Sequence, residues 1–139
     1  MATVLPYNIH HVAIAVEDLE ASLAEFDHKY NVKPISVETV EEQGVREAMI
    51  AIGGSHIQLL EPLDLKTPIG RFLSQNGEGM HHIALAVTDI EDALEHLQNE
   101  GARLIDATPR TGGAGYRVAF VHPADLAGTL IELVEVPDA

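Results

Sequence analysis

A chain of 139 residues, 46% of them hydrophobic, is long enough to bury one core without staples. It contains no cysteine, which excludes a disulfide framework, a thiolate nucleophile and any thiolate zinc site, so a metal would need nitrogen and oxygen ligands. Twenty-two acidic against eight basic side chains give a formal charge of −14, a field that repels phosphate backbones and anionic lipid and argues against nucleic acid as a partner.

The N-terminal stretch MATVLPYNIHHV lacks a basic region and a long apolar run. No segment approaches the roughly 20 apolar residues of a membrane span. These features predict a soluble, cytoplasmic chain without a membrane partner. The β-rich run His10–Val16 predicts a strand, and Asp18 or Glu17 then caps a helix whose apolar residues Leu19, Leu23 and Phe26 share one face. Strands are expected at residues 35–40, 45–52 and 55–60, with EEQG and GG as turns. PLDLKTPIGRFLSQNGEG, from Pro62, reads as a linker with a short helix near Ile69–Leu73.

A second run then begins. Thr88 and Glu91 fit a capping box, Ile90, Leu94 and Leu97 supply a helix face, and Gly101 is a C-terminal stop. Strands follow at 103–106, 116–121 and 129–136. A shift of 82 − 11 = 71 residues lays His10 on His81, His11 on His82, Ala13 on Ala84, Asp18 on Asp89 and Glu20 on Glu91. SHIQLLEP corresponds more loosely to GTLIELVEVP. The pattern is βαβββ twice, a duplication within a single domain spanning residues 1–139, with repeats near 7–62 and 78–137.

Strand alternation sends His10, Val12, Ile14 and Val16 to one face and His11, Ala13 and Ala15 to the other. The bulky set suits packing against the helix, whereas the histidine-and-alanine set leaves room for an ion or ligand. The same partition recurs at His82, Ala84 and Ala86. His11 and His82 are therefore the functional candidates, with His10 and His81 expected at a strand end, helix-packed or partly solvated. Gln58 and Glu132 are polar intruders in apolar strands, and a buried carboxylate needs a metal or cation to compensate it. Two imidazoles, one amide oxygen and one carboxylate suit Zn, Co, Mn, Ni or Fe(II) with one formal negative ligand charge.

These motifs, with EEQGVREAMIAIG, GMHHIALAV and GGAGYRVAFVHP, resemble the methylmalonyl-CoA epimerase family of the vicinal oxygen chelate superfamily over nearly the whole chain. The resemblance implies an α+β fold in which two tandem βαβββ modules form a curved mixed sheet around a central metal cleft. It implies metal ligands at His11, Gln58, His82 and Glu132, with Glu47 as an acid/base facing Glu132. The glycine-rich Gly112, Gly113, Ala114 and Gly115 would close over the substrate carboxylate. A divalent metal is implied, Co2+ first and Mn2+, Zn2+, Ni2+ or Mg2+ as alternatives, with methylmalonyl-CoA as small-molecule substrate and a homodimer as the assembly. Ala124 departs from the family, which often carries a lysine after HP.

The chemistry needs these residue types. Epimerising a carbon between a carboxylate and a thioester removes a proton from one face and returns one to the other, a task for two carboxyl groups. Without the resemblance, Glu47 reads as a solvated residue of an acidic stretch with Glu41 and Glu42. Coenzyme A brings phosphates, for which Lys29, Lys33, Lys66, Arg71, Arg103, Arg110 and Arg117 are available without a means of choosing among them. The competing functions are a glyoxalase I-type lactoylglutathione lyase and a non-catalytic small-molecule binding protein of the same fold.

Overall fold

A computed structural model describes residues 6–136. Residues 1–5 of the N-terminal stretch, and Pro137 at the end of the second repeat, lie outside the described residues. The elements follow the order β1 (Asn8–Ala15), α1 (Leu19–Tyr30), β2 (Ser36–Val40), β3 (Val45–Ile52), β4 (Ser55–Pro62), α2 (Pro68–Asn76), β5 (Gly79–Val87), α3 (Ile90–Asn99), β6 (Arg110–Thr111), β7 (Arg117–Val121) and β8 (Ile131–Glu135). The α+β fold of two tandem βαβββ modules is thus the fold observed. By contact density the chain forms two compact units, His11–His81 and the remainder.

In the unit His11–His81 the strand order is β2-β3-β4-β1. β1 and β4 are parallel, with Ala13 opposite Gln58, while β3 is antiparallel to β4, with Met49 opposite Gln58 and Arg46 opposite Glu61. α1 starts where the Asp18 carboxylate accepts the Ala21 N–H at 3.0 Å and ends on Asn31 at φ 57°, a left-handed cap that asparagine tolerates. Its Leu19, Leu23 and Phe26 pack with Ile14, Ile50 and Leu59. This is the bulky face expected of β1. The opposite face carries Ala13, Ala15, Val45 and Leu60 under Ile69 and Leu73 of α2. Part of the room expected beside His11 is therefore filled by α2 side chains.

The other unit repeats this plan as β5-β8-β7-β6. β5 and β8 are parallel with Ala84 opposite Glu132, and β7 is antiparallel to β8 with Phe120 opposite Glu132. Ile83 and Leu85 pack with Ile90 and Leu94 of α3, whereas Ala84 joins Val118 and Val134 on the other face. Gly101, at φ 84°, follows α3 as expected.

Two expectations for this unit fail. The capping box at Thr88 does not form. Asp89 is the cap, its carboxylate accepting the Asp92 N–H at 3.1 Å, and Glu91 turns instead to Arg117. Nor is 103–106 a strand: only an isolated bridge joins Leu104 to Val121, and the edge strand is β6. The physical reason is Asp106, whose carboxylate accepts the Phe120 N–H at 2.9 Å in place of a ladder carbonyl.

Each unit contains its own clasp of the same kind. Arg46 donates to Glu61 at 3.1 Å and Glu20 at 2.6 Å, and Glu61 accepts the Leu19 N–H at the start of α1 at 2.9 Å. Arg117 donates to Glu135 at 3.0 Å and Glu91 at 3.3 Å, and Glu135 accepts the Ile90 N–H at the start of α3 at 3.1 Å. Each clasp ties a hairpin to a helix N-terminus, where the helix dipole favours a carboxylate.

Candidate active site

In the unit His11–His81, alternation places His11 and Ala13 on one face of β1, and the parallel register sets Gln58 beside Ala13 on that same face. His11 is 3% exposed and Gln58 7%. Glu47 comes from β3, in phase with Val45, and is 4% exposed. Its Oε2 accepts a hydrogen bond from Gln58 Nε2 at 3.0 Å. Burial overturns the reading of Glu47 as a solvated residue. With Nε2 committed to Glu47, the other atom of the Gln58 amide is the oxygen, the one a cation requires.

In the other unit, His82 and Glu132 are both buried, and His82 Nε2 lies 3.1 Å from Glu132 Oε1. The register of β5 and β8 causes this, since Glu132 sits opposite Ala84 on the face that His82 shares. Phe120, opposite Glu132, meets the His82 ring edge-on at 5.4 Å between centroids and 88° between planes. The Arg110 guanidinium lies over the Phe120 ring at 5.4 Å and pairs with Asp106 at 3.5 Å. The buried imidazole and carboxylate of this unit, like the buried imidazole and amide oxygen of the unit His11–His81, are each of the donor types that a divalent cation takes.

His10 and His81 part from their neighbours. Both are half-buried. His10 meets Tyr116 edge-on at 5.6 Å, and His81 meets Phe72 of α2 at 4.9 Å. Each is held by an aromatic ring, in keeping with the helix-packed or partly solvated position expected.

Gly112–Gly115 form the turn between β6 and β7. The Gly112 N–H donates to the Tyr116 carbonyl at 2.8 Å, Ala114 adopts φ 57° and Gly115 φ 75°. Backbone of this kind bends tightly without side-chain bulk. After His122, whose Nδ1 accepts the Ala124 N–H at 3.0 Å, the chain makes a short turn at the position of the missing lysine.

Sequence reasoning missed the clasps and the Asp106–Arg110–Phe120 stack. The clasps had a signal, because Arg46 and Arg117 stand 71 apart, as do Glu20 and Glu91. A further acidic group, Asp18, Glu20 and Glu61, comes close together, but its oxygens are committed to Arg46 and to helix N–H groups.

The profile of the Glyoxalase/Bleomycin resistance protein/Dioxygenase superfamily matches residues 10–120. The ethylmalonyl-CoA/methylmalonyl-CoA epimerase of Cereibacter sphaeroides is 38% identical over 92% of this chain and 97% of its own. A Streptomyces coelicolor methylmalonyl-CoA epimerase variant, solved with 2-nitronate-propionyl-CoA, superposes with a TM-score of 0.90 at 38% identity, covering 95% of this chain and 98% of that one. A methylmalonyl-CoA epimerase solved with methylmalonyl-CoA and NH4+ gives a TM-score of 0.88 at 40% identity, covering 91% and 92%.

Proposed function

We propose that this chain, which belongs to the Glyoxalase/Bleomycin resistance protein/Dioxygenase superfamily, is an isomerase acting on an acyl-CoA and interconverts (2R)- and (2S)-methylmalonyl-CoA. The observation that carries this reading is Glu47, a carboxylate 4% exposed on β3 and hydrogen-bonded at 3.0 Å to Gln58. Burial and a fixed orientation equip it to move a proton. Relatives that carry the epimerase name over nearly their full length point the same way.

His11, Gln58, His82 and Glu132 are the proposed ligands of a divalent cation, Co2+ first. The bound ion supplies Lewis-acid stabilisation of negative charge on a substrate carbonyl. Glu47 removes the C2 proton, and the Gln58 N–H holds its carboxylate in one orientation while it does so. Glu132, entering the step as the carboxylic acid, gives its proton to the opposite face and is left as the carboxylate while Glu47 keeps the proton it took, and the two carboxyl groups exchange roles when the reaction runs backwards. The Gly112–Gly115 turn receives the substrate carboxylate through backbone N–H groups. A cytoplasmic homodimer completes the proposal on family resemblance.

The test is proton exchange at C2 of methylmalonyl-CoA, followed by NMR in deuterated buffer with and without each candidate metal. Exchange that depends on metal is the expected result. No exchange with any metal defeats the reading.

A further inference from the structure

The chain carries eight basic side chains against twenty-two acidic ones, so a cation without a carboxylate partner is unusual in it. Lys29 pairs with Glu25, Lys33 with Asp27, Arg46 with Glu20 and Glu61, Arg103 with Asp125, Arg110 with Asp106 and Arg117 with Glu91 and Glu135, all within 3.5 Å. Removing those six from eight leaves Lys66 and Arg71, whose side-chain cations form no ion pair with a carboxylate among the described residues. The two are neighbours: Arg71 Nη1 donates to the Lys66 carbonyl at 3.0 Å. Both are exposed, and Leu63 and Leu65 beside them are 41% and 70% exposed.

This segment is fixed. Thr67 Oγ1 donates to the Asp64 carbonyl at 2.8 Å and accepts the Gly70 N–H at 3.1 Å, capping α2. Lys66 N–H donates to Asp64 Oδ1 at 2.7 Å. Gly70 presses against the loop so closely that a Cβ there would meet the Asp64 carbonyl oxygen and come within 2.6 Å of Leu65 Cα. On its other side α2 packs Ile69 and Leu73 against Ala13 and Ala15 of β1, the strand of His11.

We propose that Lys66 and Arg71, with the apolar surface of Leu65, form the subsite for the phosphate-bearing nucleotide end of the coenzyme A thioester. A nucleotide with phosphates offers anionic oxygens and a flat apolar base, and the loop offers two uncompensated cations next to an exposed leucine. The subsite rests on the epimerase reading above, since it deepens the substrate class of the same site.

The experiment measures kcat and KM for methylmalonyl-CoA and for its pantetheine thioester, which lacks the nucleotide, with the wild-type protein and with Lys66→Gln/Arg71→Gln. Loss of two exposed charge contacts raises KM for the coenzyme A thioester about tenfold. It leaves kcat and the response to the pantetheine thioester within about twofold of wild type, because the missing phosphates are the partners. Wild-type turnover of both thioesters, with no selective rise in KM in the variant, overturns the subsite alone. An equal loss on both thioesters also overturns it, by showing a general structural effect. Wild-type turnover of neither overturns the epimerase reading and the subsite with it.

Discussion

Replacing Glu47 with Gln separates catalysis from structure. The Gln58 N–H that donates to Glu47 Oε2 at 3.0 Å keeps an acceptor, since the new amide presents an oxygen of the same shape. A hydrogen bond to a charged group contributes ~1.5–3 kcal/mol and a neutral one ~0.5–1.5, so about 1 kcal/mol is lost. Removing a buried charge relieves a desolvation cost at least as large. The substitution therefore lowers stability by no more than ~1 kcal/mol, or about 4 °C in melting temperature for a domain of this size. The amide cannot accept the C2 proton, and loss of general base catalysis slows turnover by roughly 10²–10⁴, equivalent to about 2.7–5.4 kcal/mol in the barrier. Urea denaturation and C2 deuterium exchange on the same preparation read the two quantities. A Glu47→Gln protein that folds normally and turns over within threefold of wild type would refute the assignment of Glu47 as a catalytic acid/base.

Other outcomes follow from the same geometry. His82→Ala removes an imidazole 3.1 Å from Glu132 and abolishes the thermal stabilisation by Co2+ or Mn2+, about 2.7 kcal/mol at a hundredfold excess over Kd. His81→Ala, which loses a ring contact with Phe72, retains that stabilisation, and EDTA reverses it; equal metal content in both variants would contradict the assignment. Glu135 is held below the ordinary carboxylate value of 4.5, first by the Arg117 hydrogen bonds and then by the Ile90 N–H. Its folded form is thus favoured above that value, and the benefit disappears as the pH falls through the lower native value. Glu135→Gln should lower the urea midpoint at pH 7 and match wild type in strong acid; a gap that persists there would point to packing instead of charge. Arg117 is 42% exposed, so the ion pair itself contributes no more than about 1 kcal/mol.

What could be read in advance was local or duplicated. The apolar spacing of α1, the Asp18 cap and the glycine after α3 are each written within a few residues. Gln58 and Glu132 announced themselves as polar residues inside apolar strands, and both are buried. Glu47 did not, because its neighbours Glu41 and Glu42 disguise it; its cue was the two-residue phase with Val45, which faces inward. The edge strand was misplaced because Asp106 satisfies a backbone N–H fourteen residues away. Pairings at such separations, including the clasps, depend on register that hydrophobic pattern alone leaves undetermined.

The two clasps also measure where the duplicated halves have drifted in length. Arg46 and Arg117 stand 71 apart, but Glu61 and Glu135 stand 74 apart, so the second half has gained three residues between its clasp partners. The gain lies in the connection from Val121 to Ile131, where the first half makes do with Gly53 and Gly54. Residues 122–130 are therefore the stretch in which the second half carries a longer connection at the same strand register. A short affinity tag or fluorophore-labelling peptide belongs there. The turn at Gly44 offers no such freedom, since a Cβ on that residue would come within 2.6 Å of the Thr67 methyl group.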